Sequence, residues 1–295
     1  MTLDDALQAA CNALGIKPPR SRIYGRWLRT DTLERNGKGD AEVIIEPDRV
    51  SGVNWQDGRR KTVFLDGKTE DTYTPRRDPE RERQQERERR EVAEVCERIV
   101  KACRQDRHPY LARKGFPDEM GLVLDQPADL MPERLARALP DGEGPFLIVP
   151  GRIHKTVTTV QFITPEGVKK NILGGQMGGA AYRIATGADT WVCEGIATAL
   201  SVRAALRLLG RSATVFSAFS ASNVARVAKE HPGAIIAADH DKPVETLGGL
   251  GTGEYYARQS GARWVQPPEL GDFNDMHMSG GLRAVALHIR EVSMA

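Results

Sequence analysis

Five acidic residues in the C-terminal third of the chain lie shortly after short apolar segments. They are Glu194, Asp239, Asp241, Asp272 and Asp275. Crowded carboxylates repel one another and are costly unless a cation neutralises them. Their hard oxygen atoms suit Mg²⁺ or Mn²⁺, which complete their coordination with water and phosphate. Two such ions can promote a nucleotidyl transfer, one at the attacking hydroxyl and one at the leaving oxygen. We therefore expect a divalent-metal site.

Each of these acidic residues also has a purely structural interpretation. A helix dipole would stabilise Glu194 at a helix N-terminus. Asp239 and Asp241 could be turn residues, and Asp272 and Asp275 could cap a helix. These explanations serve each position singly, but they do not explain why all three positions follow predicted strands of one sheet. Metal binding is therefore the interpretation we adopt.

A regular alternation of apolar segments and helical patterns begins near residue 189. The predicted strands cover residues 190–193, 213–219, 234–238 and 263–266, and the predicted helices cover residues 195–209, 222–230, 253–259 and 282–292. The strands are apolar throughout, which is typical of a parallel sheet covered by helices on both faces. Ligands of such α/β sheets bind beyond the carboxyl ends of the strands. The five acidic residues should therefore meet at one edge of the sheet.

The sequence before residue 189 predicts three further parts, so that the fold class is α/β in the last part and α+β overall. Residues 1–74 form a small β-rich unit. Residues 75–107 form a charged helical connector, in which Arg and Glu at helical spacing indicate ion pairs; contact with a nucleic-acid backbone is the alternative. Residues 108–188 are mixed α+β and include a hairpin, and residues 189–295 form the catalytic domain.

The N-terminal unit is expected to begin with an amphipathic helix at residues 2–14. Its Trp27 and Trp55 are expected in the core, with stacking on bases of single-stranded DNA as the alternative. The four cysteines are scattered and form no Cys/His ligand set, so that no zinc is expected. They are Cys11, Cys96, Cys103 and Cys193.

Composition is that of a globular protein, with 40% hydrophobic and 28% charged residues and a net charge of +2. No stretch approaches the roughly 18 to 20 apolar residues of a membrane helix, so that no membrane association is expected. Asp4 and Asp5 stand where a secretory signal would be basic, which predicts a cytoplasmic protein.

The order of the acidic motifs resembles that of the Toprim domain found in primases, topoisomerases and some nucleases. The motifs are Glu-Gly at 194–195, Asp-x-Asp at 239–241 and a later acidic pair at 272 and 275. The sequence is more similar still to the primases of plasmids and phages, in the segments CEGIATALS, FSASNV, AADHD and GDFND. Counterparts in the same proteins also exist for HPYLARKGF, VQFITPEGVKKNILGG and GRWLRTDTLERNGKGDAEVI, so that the resemblance covers most of the chain.

This resemblance implies a Rossmann-like parallel sheet preceded by a primase-like α+β subdomain. It implies a DNA primase that uses two divalent ions to make short RNA primers on single-stranded DNA from nucleoside triphosphates, in phage or plasmid replication. The implied catalytic residues, which are also metal ligands, are Glu194, Asp239 and Asp241. The further implied metal ligands are Asp272 and Asp275. The residues expected to bind nucleotide or template are Lys169, Lys170, Arg183 and Lys242.

Two departures from the pattern keep other functions open. The N-terminal unit lacks the Cys/His zinc module that full primases carry, and the chain has no GxxxxGK[ST] phosphate loop, so that a helicase would be a separate protein. A Toprim nuclease would need the same carboxylates, and a non-catalytic accessory protein that binds single-stranded DNA would suit the missing zinc module. A topoisomerase is disfavoured, because it needs a large strand-passing body and a positioned tyrosine.

Overall fold

The computed structural model describes residues 1–33, 37, 39–55, 59–66, 79–142 and 144–294, without the side chains of residues 79, 81, 246, 293 and 294. The chain divides into two compact units. The first comprises residues 1–78 and 244–249, and the second comprises residues 79–243 and 250–295. None of the described helices has the length and apolar character that a bilayer crossing requires.

The first unit packs a helix on one face of a four-stranded antiparallel sheet. The helix is α1 (Leu3–Leu14), and the strands, in their order across the sheet, are β1 (Trp27–Thr30), β2 (Ala41–Glu46), β3 (Arg49–Asn54) and β4 (Arg60–Phe64). Helix α1 begins at a capping box between Thr2 and Asp5 and ends at Gly15, which has a left-handed conformation with φ of 63°. The predicted helix and β-rich unit are thus confirmed.

Trp27 and Trp55 are not in the core of this unit, so that our expectation was wrong. Their exposed fractions are 45% and 53%. Neighbouring residues of a strand point to opposite faces of the sheet. Leu28 points toward the core shared with α1 and is buried, and Trp27 therefore points away from it.

The second unit begins with a long helix on an antiparallel sheet. Its helices are α2 (Pro79–Ala102), α3 (Pro109–Arg113) and α4 (Glu133–Ala136), and its strands, again in sheet order, are β5 (Arg104–Arg107), β6 (Met120–Leu124), β7 (Phe146–Ile153), β8 (Thr156–Ile163) and β9 (Lys169–Asn171). Strands β8 and β9 form the predicted hairpin. Helix α2 carries the expected i,i+4 ion pair between Glu86 and Arg90, but its later half is not merely solvated. Val95 and Ile99 are buried in the core of this sheet.

The parallel sheet follows, with helices on both faces. Its strands are β10 (Tyr182–Ala185), β11 (Asp189–Cys193), β12 (Ala213–Ser217), β13 (Ile235–Ala237) and β14 (Arg263–Val265), and its helices are α5 (Ile196–Leu208), α6 (Ala221–Glu230), α7 (Thr252–Ser260) and α8 (Phe273–Met294). The strand order is β10-β12-β11-β13-β14, and all neighbours are parallel except β10 and β12. The predicted α/β architecture is confirmed.

Two elements of this part differ from expectation. Strand β10 was not predicted, and it adds an antiparallel edge to the sheet. Helix α8 begins at Phe273, whereas the pattern predicted a start at residue 282. The two glycines Gly280 and Gly281 led to the prediction of a later start. Gly281 does have a non-helical conformation, but it forms a kink within α8 and does not begin the helix.

Candidate active site

Neighbouring parallel strands bring the first two acidic motifs together. Strands β11 and β13 are adjacent, with Cys193 opposite Ala237 at their carboxyl ends. Glu194 directly follows β11, and Asp239 comes two residues after β13. The chain therefore delivers two carboxylates to one edge of the sheet, as expected for a ligand site of this architecture.

Burial and mutual repulsion make these carboxylates hard to ionise. Burial raises the pKa of Glu194 to about 7; Asp241 and Asp272 add to the rise, and the ammonium of Lys169 opposes it. Burial raises the pKa of Asp239 to about 8; the charges of Glu194, Asp272 and Asp241 add to the rise, and Lys169 again opposes it. Asp241, Asp272 and Lys169 act on both Glu194 and Asp239, and Glu194 also acts on Asp239, so that the four carboxylates and Lys169 form one electrostatic cluster.

Asp239 has an oxygen atom for which the fold provides no partner. Its Oδ1 is buried and makes no hydrogen bond within the described part of the chain. Asp241 differs, because its Oδ2 accepts a hydrogen bond of 2.8 Å from the backbone N–H of Gly253 at the start of α7. A buried carboxylate oxygen without a donor costs free energy of folding, and such an atom is where a cation would be bound.

Glycine is required where α7 meets the loop that carries Asp239 and Asp241. A Cβ at Gly253 would lie 2.3 Å from the carbonyl oxygen of Asp239, and a Cβ at Gly251 would lie 2.6 Å from that of Asp241. Neither separation is possible for a real side chain. The glycines of the sequence GLGTG thus allow the helix to start directly against the acidic loop.

Asp272 serves both the cluster and the start of α8. Its Oδ1 accepts hydrogen bonds from the backbone N–H groups of Asn274 and Asp275, at 2.7 and 2.8 Å, and its Oδ2 accepts one of 3.0 Å from the Thr198 hydroxyl. Asp275 Oδ2 accepts a bond of 3.1 Å from the N–H of Asp272 in return. The helix-cap interpretation of these two residues therefore describes what the structure shows, and Asp272 also contributes charge to the cluster.

The two predicted lysines of β9 have different surroundings. Lys169 acts on both Glu194 and Asp239, and its Nζ lies 5.3 Å from the centroid of the buried Tyr110 ring. Lys170 points to the other face of the strand, where its Nζ donates a hydrogen bond of 3.0 Å to the carbonyl of Leu139. The structure thus brings Lys169, and not Lys170, to the carboxylates.

The other two predicted basic residues lie at exposed positions. Arg183 is on the edge strand β10, and Lys242 directly follows Asp241. Neither is among the groups that shift the pKa of Glu194 or Asp239. They are available to an approaching polyanion, but they are not part of the electrostatic cluster.

Sequence reasoning missed a group of residues that supports the third motif. Asn274 is fully buried, and its Nδ2 donates hydrogen bonds to the carbonyl of Lys114, at 2.8 Å, and to the Ser201 hydroxyl, at 3.1 Å. Lys114 Nζ in turn lies 4.0 Å from Asp275 Oδ1. The segments HPYLARKGF, CEGIATALS and GDFND contain these residues, but nothing in the three segments indicated that they meet.

The donor set fits a divalent cation. Glu194, Asp239 and Asp241 offer carboxylate oxygens, and Oδ1 of Asp239 is buried without a partner among the described residues. Burial and the neighbouring carboxylates raise the pKa of Glu194 and of Asp239, so that a cation bound there would stabilise the ionised forms. In the described residues, no group of three His, Cys, Asp or Glu side chains is already arranged to hold an ion.

Comparison with known proteins gives one family match, in the part of the chain that contains the parallel sheet. The family model described as "Toprim domain" matches residues 189–282, about a third of the chain. No curated protein matches the chain in sequence. Among solved structures, the chain is similar to the primase fragment of the bacteriophage T7 primase-helicase protein, at 15% identity and a TM-score of 0.35. That match covers 49% of this chain and 62% of the fragment.

Proposed function

Since residues 189–282 form a Toprim domain, we propose that the chain is a DNA primase. It would synthesise short RNA primers on single-stranded DNA from nucleoside triphosphates, in the replication of a phage or plasmid. The observation that carries metal-dependent chemistry is the cluster of Glu194, Asp239 and Asp241, whose charges meet at one edge of the sheet beside Lys169. A nuclease would need the same carboxylates, and the similarity of the segments HPYLARKGF and VQFITPEGVKKNILGG to plasmid and phage primases favours primer synthesis.

Mg²⁺ or Mn²⁺ is the proposed cofactor, with two ions at the acidic edge. Glu194, Asp239 and Asp241 are the proposed catalytic residues and ligands, and Asp272 and Asp275 are proposed to complete the ligand set. Bound there, the ions would supply charge neutralisation for the triphosphate and a lower pKa for the attacking hydroxyl.

The protein's own groups have distinct proposed roles. Glu194 and Asp239 hold their oxygens at the strand ends, and Lys169, steadied against the Tyr110 ring, provides a fixed positive charge for a phosphate. Asn274 positions the third motif through its bonds to Lys114 and Ser201.

The remaining predicted basic residues are proposed to bind template or nucleotide. Arg183 and Lys242 are exposed and need no rearrangement, whereas Lys170 would first give up its bond to Leu139. The proposal also includes a cytoplasmic location, no membrane partner and, where unwinding is needed, a replicative helicase as a separate protein. We keep the division into four parts at residues 74, 107 and 188 as part of this proposal.

Primer synthesis on single-stranded DNA tests the proposal. Labelled nucleoside triphosphates are supplied with Mg²⁺ or Mn²⁺ to the wild type, to the double variant Asp239→Ala/Asp241→Ala and to the control Glu230→Ala. Glu230 is an exposed acidic residue at the end of α6, so that its loss should change little. Short products that disappear only in the double variant would support a primase and its metal site.

Two other results would overturn the proposal. Cleavage of the template without synthesis would identify a Toprim nuclease, which needs the same carboxylates. Tight binding to an intact template, with no synthesis under either ion, would identify a non-catalytic accessory protein.

A further inference from the structure

Residues 20–27, which we call the basic–aromatic segment, are exposed along their whole length. Their sequence is RSRIYGRW, with three arginines and two aromatic residues and without an acidic residue. Tyr24 is 60% exposed and Trp27 is 45% exposed. Large aromatic side chains are usually buried well beyond this, so that their exposure next to arginines indicates a binding surface.

The backbone of the basic–aromatic segment is held on the sheet. The N–H of Gly25 donates a hydrogen bond of 2.8 Å to the carbonyl of Ile45, and Tyr24 forms a bridge to the same residue. Gly25 has φ of 71°, a conformation that glycine adopts without strain. Trp27 then enters β1, the edge strand. Because the aromatic residues are anchored, little backbone freedom remains to be lost when a ligand binds.

Trp55 lies on the same face of this sheet as Trp27. Trp27 is opposite Ile44, and Ala41 is opposite Asn54. The N–H of Trp55 donates to the carbonyl of Asp40, which continues the ladder by one residue. Since side chains alternate along each strand, residues 27, 44, 40 and 55 share the face opposite α1. Trp55 therefore lies on the same face as Trp27, and the buried Ile44 and Val53 lie between the two rings.

The chemistry of this surface selects its ligand. Arg22 pairs with Asp4, whereas Arg20 and Arg26 extend into solvent. Arginines attract phosphates, and exposed aromatic rings between them stack on bases that are free of a duplex. An acidic peptide would use the charges but leave the rings without partners, and a duplex would hide its bases.

We propose that the basic–aromatic segment, together with Trp55, binds single-stranded DNA. The choice of DNA over RNA rests on the proposed primase function, but the binding surface does not depend on catalysis.

The test measures binding of fluorescein-labelled oligo-dT to the full chain by anisotropy, without nucleotide or metal. Trp27→Leu and Tyr24→Leu should each weaken binding about tenfold, because each removes one stacking platform. Trp27→Phe should restore most of the affinity, since it keeps an aromatic ring. Arg26→Ala should reduce the slope of log affinity against log salt by about 0.7.

Two controls separate this surface from general effects. Lys61→Ala removes an exposed cation of β4 that lies opposite Gly52, on the α1 face of the same sheet, and should leave oligo-dT binding unchanged. Asp239→Asn/Asp241→Asn should abolish synthesis but not this binding, so that a failure of the proposed function and a failure of this inference are distinguishable.

Three outcomes would overturn the inference. Equal affinity for oligo-dT in Trp27→Leu, Tyr24→Leu and wild type would show that the two rings do not stack on bases. Equal affinity for a duplex of the same length would exclude recognition of unstacked bases. Tighter binding of oligo-U than of oligo-dT would show that the strand is not DNA.

Discussion

In most proteins charged groups are exposed and large apolar side chains are buried. The acidic edge of the parallel sheet departs from the first half of this rule, and the basic–aromatic segment departs from the second half. At the acidic edge, carboxylates are withdrawn from water, and Asp239 Oδ1 has no hydrogen-bond partner among the described residues. In the basic–aromatic segment, Tyr24 and Trp27 remain in water although burial would stabilise the fold. Both arrangements lower the free energy of unfolding of the ligand-free protein.

The difference between the two regions indicates what each lacks. Buried negative charge is relieved by a cation, whereas exposed aromatic surface is relieved by a flat, apolar partner. A metal-bound triphosphate and a single strand of DNA are ligands with these two properties. If the comparison is right, changes at the acidic edge affect chemistry and ionisation, and changes in the segment affect binding alone.

The largest effect is expected from the adjacent lysines of β9. Lys169→Ala should lower primer synthesis by about 10²-fold, because it removes the fixed charge that acts on Glu194 and Asp239. Lys170→Ala should change the rate at saturating template by less than about threefold, because Lys170 lies on the other face of the strand and a weaker contact to template does not limit the rate when template is saturating. Steady-state rates with saturating template would measure both.

Oligo-dT binding distinguishes this loss from a loss of template affinity. The Lys169→Ala variant should bind oligo-dT as the wild type does, because the basic–aromatic segment is intact. Equal rates for the two lysine variants would contradict the placement of Lys169 and Lys170 on opposite faces of β9. A loss of oligo-dT binding in both variants would show that the acidic edge and the basic–aromatic segment do not have separate roles.

A smaller effect is expected in the dependence of stability on pH. Asp239 and Glu194 have pKa values of about 8 and about 7 in the fold, above their ordinary values near 4. The folded chain therefore holds more protons than the unfolded chain between about pH 4 and pH 8, and these groups reduce stability as pH rises through that range. At the alkaline end of this range, Asp239→Asn should therefore raise the free energy of unfolding by about 2 kcal/mol. This corresponds to an increase in Tm of roughly 5 °C.

Thermal unfolding of the metal-free protein between pH 5 and pH 8 measures the difference between wild type and variant. Groups remote from the cluster titrate alike in both proteins, so that the difference reports Asp239 together with its effect on the ionisation of Glu194. Mg²⁺ should raise the Tm of the wild type most at the alkaline end, where the carboxylates are ionised. A variant whose Tm falls with pH as steeply as the wild type's would show that Asp239 is not strained by its surroundings.

The fold was more predictable from the sequence than the details of the site. Apolar strands and their acidic ends are local patterns, and the order of Glu194, Asp239 and Asp272 along the chain indicated one sheet edge. Which face Lys169 takes depends on the register of β9, which no local pattern specifies. Asn274 was missed for a similar reason, because its partners Lys114 and Ser201 are distant in sequence.

Trp27 shows the limit of hydrophobicity as a guide to the core. Its apolar ring favoured burial, but the pleat of β1 gives the core position to the next residue, Leu28. Only the pairing of β1 with β2 decides which of two adjacent apolar residues faces α1.

The smallest expected effect concerns the stability of this same pair. Trp27→Ser should lower the free energy of unfolding by about 1 kcal/mol, because the ring lies on the face away from α1 and loses only its cross-strand contact with Ile44. Leu28→Ala, one residue along, should cost about 2–4 kcal/mol, because it leaves a cavity in the core of the first unit. Denaturant unfolding followed by far-UV circular dichroism compares the two without relying on tryptophan fluorescence. If Trp27→Ser were as costly as Leu28→Ala, the ring would belong to the core. The position of Trp27 would then be explained by the stability of the fold and not by ligand binding. The basic–aromatic segment would no longer contrast with the acidic edge.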